Sequence, residues 1–140
     1  MSLSYSVMKA EDYAKMHEFW LSIPGLGLNE ADEQGKIKAY LLRNPEQSFI
    51  CKSGAEIIGT IMCGNDGRRA FVYHLAVSPK YRRKGAATEL VRLAVEKQKS
   101  IGIDKCVAFV LNENTAGIDF WARLGFAKVQ EAGTFAADIH

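Results

Sequence analysis

Cysteine is scarce: Cys51, Cys63 and Cys106 are odd in number and far apart. No CxxC spacing occurs, so neither a zinc site nor a disulfide framework is expected. All three lie in apolar, strand-like runs and read as buried structural thiols. Charge of one sign is also scarce, the net charge being +2. That excludes the repeated basic face of a nucleic-acid binder, and no platform of aromatic side chains for stacking bases is identifiable. No apolar run is long enough to span a bilayer. The opening residues Met1-Ser2-Leu3-Ser4-Tyr5 show neither a basic n-region nor an apolar h-region. A soluble, cytoplasmic protein is therefore expected, with no membrane partner, no nucleic-acid partner and no metal. Internal repeats, linkers and low-complexity segments are absent as well. The 140 residues, 48% hydrophobic and 24% charged, suit one compact domain with an ordinary core.

What is present is organised around the stretch from Phe71 to Leu90. An apolar run of strand formers ends at Pro79, which cannot donate to a ladder. Lys80, Arg82, Arg83 and Lys84 follow, and then Gly85, Ala86, Ala87 and Thr88 open a helix. Ala87, Leu90, Val91, Ala94 and Val95 give that helix one apolar face. The first amides of a helix have no intrahelical partner, and the helix dipole favours negative charge there. Small residues admit a ligand to the backbone, and the cations complete an anion site. The order strand, basic loop, small residues, helix predicts a ligand that carries phosphates.

The remaining elements follow from periodicity and punctuation. Tyr5 to Met8 is a short strand, and Tyr13, Met16 and Trp20 mark one buried face of a helix that ends before Pro24. Asn29 is the expected N-cap of a second helix running to about Arg43, with Ala31, Ile37, Tyr40 and Leu41 inward. Strands are expected at Ser48–Lys52, Glu56–Cys63 and Ala70–Val77, joined by glycine-rich turns. The long helix runs from about Gly85 to Ser100 and is followed by a strand from Lys105 to Leu111, a parallel neighbour of the central strand. A short helix, Ala116 to Leu124, and a last strand, Phe126 to Val129, complete the chain.

Arg82-x-x-Gly85-x-Ala87, preceded by Leu75-Ala76-Val77-Ser78-Pro79, resembles motif A of the GNAT superfamily, the acyl-CoA-dependent N-acyltransferases. Asn114-x-x-Gly117-x-x-Phe120-Trp121-x-x-Leu124-Gly125-Phe126 is similar to a second pattern of that family. Gly64-x-x-Gly67-Arg68-Arg69 before the central strand resembles a bacterial subgroup of small, mostly uncharacterised members. The resemblance implies an α/β (α+β) GNAT fold. Its central sheet is mixed, with antiparallel N-terminal strands, a parallel pair splayed at the cofactor site and about four flanking helices. Residues 1–140 are then a single N-acetyltransferase domain. The resemblance also implies acetyl-CoA as co-substrate. The loop amides and cations from Arg82 to Thr88 would hold its pyrophosphate, and the backbone of Leu75, Ala76 and Val77 its pantetheine arm. Asn114 would contact the coenzyme as well as cap a helix, and Trp121 would pack beside the pantetheine channel.

The implied reaction is direct transfer of an acetyl group to a primary amine of a small molecule, peptide or protein. A β-bulge near Leu75-Ala76-Val77 is expected to free an amide for the thioester oxygen. The family's usual glutamate and tyrosine are not matched: the central strand begins Phe71-Val72-Tyr73, and Trp121 stands at the tyrosine position. Tyr73 and His74 are the nearest titratable substitutes. Strict strand alternation would send them to opposite faces, leaving at most one at the substrate. Glu18, Glu30 and Asp32 border the acceptor loop, either binding a cationic amine or facing water. The alternative is a non-catalytic acyl-CoA-binding sensor or interaction domain on the same fold. A homodimer is an allowed oligomeric state.

Overall fold

Glu56–Asn65 form a strand that is buried from Ile57 to Gly64, a pattern that only a strand covered on both faces can show. It is β3 of a computed structural model that describes residues 2–139. The other elements are β1 (Leu3–Val7), α1 (Tyr13–Leu21), α2 (Gln34–Arg43), β2 (Phe49–Ser53), β4 (Ala70–Val77), α3 (Ala86–Ser100), β5 (Cys106–Ala108) and α4 (Thr115–Arg123). The chain divides into two units, Met1–Phe109 and Val110–His140.

The first unit holds a five-stranded sheet in the order β1-β2-β3-β4-β5. Its first four strands pair antiparallel, and β5 pairs parallel with β4, as the strand–helix–strand order predicts. Successive residues of β3 show which helix covers which face. Cys63 Sγ accepts from Gln98 Nε2 of α3 at 3.4 Å, while a Cβ on Gly64 would meet Asn44 and Tyr40 at the end of α2. So α3 covers one face, and α1 and α2 the other. On the α1 side the core is Met8, Met16, Phe19, Trp20, Ile37, Ile50, Ile57, Met62 and Ala76. Leu26 and Leu28 of the connecting loop pack inward against it. On the α3 side Ala86, Leu90, Val91, Ala94 and Gln98 are buried. Gln98, Gln47 and Asn65 bond one another there, so these buried amides have partners.

Several boundaries differ from the sequence expectation. Asn29 caps a separate 3-10 turn, Glu30–Asp32, and α2 begins only at Gln34. Within that turn Ala31 is exposed and Asp32 is buried, the reverse of the apolar reading. The expected strand from Lys105 to Leu111 contracts to Cys106–Ala108, and the expected strand Phe126–Val129 has no ladder partner. Cys51 and Cys63 are buried as expected, but Cys106 is only partly buried. Among the described residues no helix is long and apolar enough to cross a membrane.

At Gly64 of β3 the backbone closely approaches side chains of α2 and the residue after it. A Cβ there would lie 2.6 Å from Asn44 Cγ and 2.8 Å from the Tyr40 hydroxyl. Gly64→Ala should therefore destabilise the protein by about 1–3 kcal/mol through overpacking. Gly133→Ala, with nothing within 4 Å of the new Cβ, should leave the midpoint of thermal unfolding unchanged. Equal midpoints for the two variants would contradict the packing described.

Candidate active site

The ladder between β3 and β4 slips by one residue. Thr60 pairs with Ala76, yet Met62 pairs with Tyr73, so both His74 and Leu75 lie opposite Ile61. This is a β-bulge, at the start of the segment where one was expected. His74 has φ 48°, a left-handed conformation that a residue with a Cβ rarely adopts. Two sets of contacts hold it there. Trp20 Nε1 donates to Thr60 Oγ1 at 2.9 Å, and Thr60 Oγ1 donates onward to the His74 carbonyl at 2.9 Å. The indole of Trp20 also lies against the imidazole, with ring centroids 5.0 Å apart.

The imidazole is fixed from its other side by Asp32. His74 Nε2 lies 2.7 Å from Asp32 Oδ1, and only 13% of the His74 side chain and 10% of the Asp32 side chain are exposed. The second carboxylate oxygen of Asp32 accepts the Asn29 amide at 3.0 Å. Asn29 Oδ1 accepts from Ala31 N, which completes a capping box around the turn. Tyr13 donates its hydroxyl to the Asp32 carbonyl at 2.6 Å. Asp32 is thus buried rather than facing water, which corrects that expectation, and each of its carboxylate oxygens already carries one hydrogen bond. An acceptor-only carboxylate at Nε2 places the proton of the neutral imidazole on that nitrogen. Nδ1 then carries the lone pair, and it has no hydrogen-bond partner among the described residues.

The bulge also overturns the expected alternation of Tyr73 and His74. Tyr73 lies edge-on to Tyr40 of α2, at 6.4 Å and 85°, while His74 lies on Trp20 of α1. Both side chains therefore occupy the α1/α2 face. Tyr73 stacks on Phe109 at 6.0 Å, and Phe109 on Phe71 at 6.2 Å. Sequence reasoning did not single out Trp20, Thr60, Phe71 or Phe109 for the site. The Asn29-x-x-Asp32 capping-box spacing was a signal for the geometry of Asp32, but not for its partner.

Beyond Val72 the edge of β4 has no β5 partner, since the parallel pairing ends at Val72 with Ala108. Tyr73 to Val77, including Leu75, Ala76 and Val77, thus stay paired with β3 on one edge and lack β5 on the other. The chain then passes through a 3-10 turn at Pro79–Tyr81 into a loop in which Arg83 has φ 65° and Gly85 φ 79°. Glu89 N donates to Gly85 O at 3.0 Å. The amides of Ala86, Ala87 and Thr88 precede that bond and lack intrahelical acceptors. Gly85 has no side-chain cap, and a Cβ there would meet nothing within 4 Å, so the approach to these amides is open. Arg82, Arg83 and Lys84 are exposed and make no salt bridge among the described residues. The acid of the first turn, Glu89, is bonded to Arg92 through both oxygens at 2.7 Å. That bond holds its carboxyl below the usual range. Together these groups can receive a phosphorylated ligand through backbone and charge.

In the second unit Asn114 Oδ1 accepts from Gly117 N at 2.9 Å, the helix-capping role. Trp121 is buried, edge-on to Phe120 and Phe126. Glu30 is exposed, and Glu18 opens on a surface cavity of ≈ 380 Å³ with Lys15, Glu56 and Ser78. Among the described residues no group of three or more His, Cys, Asp or Glu could hold a metal ion.

Thr60 is fully buried and is the sole link between Trp20 Nε1 and the His74 carbonyl. Thr60→Val, which keeps the shape, should cost about 1–3 kcal/mol by leaving the indole N–H unpaired, and Thr60→Ser much less. Denaturant unfolding of the two variants reads the difference, and equal losses would contradict the relay.

The Acetyltransferase (GNAT) family profile matches residues 10–126. An acetyltransferase of Photorhabdus laumondii is 29% identical over 135 residues, covering 93% of this chain and 91% of that relative. An uncharacterized N-acetyltransferase of Yersinia pestis is 30% identical over 95 residues, covering 68% of this chain and 67% of the relative. Among solved structures, the PaiA N-acetyltransferase of Thermoplasma acidophilum in complex with coenzyme A aligns with a TM-score of 0.80 at 20% identity, over 95% of this chain and 94% of that one. The ribosomal-protein-S18-alanine N-acetyltransferase of Escherichia coli aligns with a TM-score of 0.74 at 17% identity, over 92% and 80%. Fold, family match and relatives agree: the chain belongs to the GNAT family of acetyltransferases, with acetyl-CoA as its co-substrate.

Proposed function

We propose that this protein, residues 1–140 acting as one N-acetyltransferase domain, transfers the acetyl group directly to a primary amine, with His74 as the base. The observation that carries the reading is the 2.7 Å pair of His74 Nε2 and Asp32 Oδ1 at the bulge of β4. Acetyl-CoA supplies an activated thioester carbonyl. A protonated primary amine, with a pKa near ~10, cannot attack it. His74 Nδ1 takes that proton directly or through a water, while Asp32 holds the ring and supports the charge that forms. The bulge interrupts the ladder at His74 and Leu75, so backbone N–H groups there are available to the oxyanion that develops on the carbonyl. Tyr73, on the same face, offers its hydroxyl to the departing thiolate. Trp121 is not asked to move a proton, which an indole N–H does not do near neutral pH.

At the other end of the co-substrate, the amides of Ala86, Ala87 and Thr88, with Gly85, receive the pyrophosphate. Arg82, Arg83 and Lys84 attract it. The unpaired edge of β4 at Leu75, Ala76 and Val77 receives the pantetheine arm. The residues fit the group: the cradle is open at Gly85, its cations are unbridged, and the one acid beside it is neutralised by Arg92.

His74→Gln should lower kcat by ~10²–10⁴-fold, the usual worth of general base catalysis, while the Kd for acetyl-CoA stays unchanged. Steady-state kinetics on a panel of primary amines, with calorimetry for the co-substrate, checks both quantities. Full activity in this variant would remove His74 from the mechanism. At the phosphate end, Gly85→Val should weaken coenzyme A binding more than Arg82→Ala, Arg83→Ala or Lys84→Ala does singly. Exposed charges are screened by salt, whereas the backbone at φ 79° tolerates no branched side chain. Loss of binding in every alanine variant, with Gly85→Val tolerated, would reverse that assignment.

A further inference from the structure

The α1/α2 face beside His74 carries more exposed aromatic surface than a plain strand edge needs. Phe71, Phe109, Tyr73 and Tyr40 follow one another as a row. Phe71 and Phe109 are stacked at 6.2 Å and 6°, Phe109 and Tyr73 at 6.0 Å and 25°, and Tyr40 closes the row edge-on to Tyr73 at 6.4 Å. Tyr73 is 43% exposed and Phe109 55% exposed. Tyr73 within the row is the neighbour of His74 in β4 and lies on the same face. Tyr40 is confined by packing: its hydroxyl is buried beside Gly64 without a hydrogen-bond partner among the described residues.

We propose that this row is the acceptor subsite and that it selects primary amines carrying an aromatic ring, the ring packing on Phe109 and Tyr73 while the amine reaches His74. The inference rests on the reading of His74 as the base. Three features of the site point to that class. The row contains no charged group, so an acceptor bearing a carboxylate or phosphate would find no counter-charge in it. Asp32, the carboxylate at His74, is only 10% exposed and already bonded through both oxygens, so it offers little surface to the second ammonium of a polyamine. Near-parallel rings with exposed surface prefer another ring in an offset or edge-on arrangement over an aliphatic chain of equal size. The α1–α2 loop packs Leu26 and Leu28 against the core.

The test compares 2-phenylethylamine with 2-cyclohexylethylamine, which share the spacing between ring and amine and differ in aromaticity. The wild-type enzyme should favour the phenyl compound about 3- to 10-fold in kcat/KM. Phe109→Leu should bring that ratio close to one with the KM for acetyl-CoA unchanged, and Phe109→Trp should keep it. Equal use of the two amines by the wild-type protein, or a preference that survives Phe109→Leu, overturns the proposal. Calorimetric titration of each amine into the coenzyme A-loaded protein reads the same preference without turnover. Tighter phenyl binding with no reaction on any amine would sustain the subsite and defeat the transfer reading. Equal affinities would defeat the subsite.

Discussion

One extra residue in β4 governs the geometry of the site. With a regular ladder, Tyr73 and His74 would point to opposite faces of the sheet, and the imidazole would lie under α3. The slip opposite Ile61 keeps both on the α1/α2 face. A left-handed residue with a side chain costs about 1–3 kcal/mol. The hydrogen bonds that hold it, each worth about 0.5–1.5 kcal/mol and more where a carboxylate takes part, offset that cost. The relay from Trp20 through Thr60 fixes the backbone of His74, and Asp32 fixes its ring. Helix α1, the turn before α2 and strands β3 and β4 are therefore coupled at a single residue.

The two ends of the site follow different physical rules. At the proposed phosphate end the groups on offer are backbone amides of a helix start, and Arg82, Arg83 and Lys84 around them are exposed and unbridged among the described residues. Many side chains satisfy such a loop, provided that Gly85 keeps its conformation and the first turn stays small. At the proposed acceptor end the groups are side chains, and each is held by a specific partner: His74 by Asp32, Tyr73 by Tyr40 and Phe109. Substitutions there change chemistry or preference rather than the fold.

The architecture was legible because its signals are local. Apolar runs, glycine turns and the periodicity of α3 gave the elements and the parallel pair, and Arg82-x-x-Gly85-x-Ala87 pointed to the anion loop. The acceptor end was not legible, since its key contact joins residues 42 apart in sequence. Nothing around Asp32 announces a histidine partner, and a bulge leaves no mark in residue identity, so alternation was the natural and mistaken assumption for Tyr73 and His74. Ala31 read as inward on apolar character, but the capping box turns Asp32 inward instead. Phe126 to Val129 has strand-like composition without a strand to pair with, and composition alone cannot supply a partner.

Proton transfer at His74 depends on the protonation geometry of its imidazole, which nitrogen NMR reads directly. The resonances of His74, assigned by their loss in His74→Gln, should show the neutral ring protonated at Nε2, with Nδ1 bearing the lone pair. In Asp32→Ala that preference should weaken. A neutral ring protonated at Nδ1 in the wild-type protein would contradict the account, because the nitrogen on which the transfer depends would then have no lone pair to accept a proton.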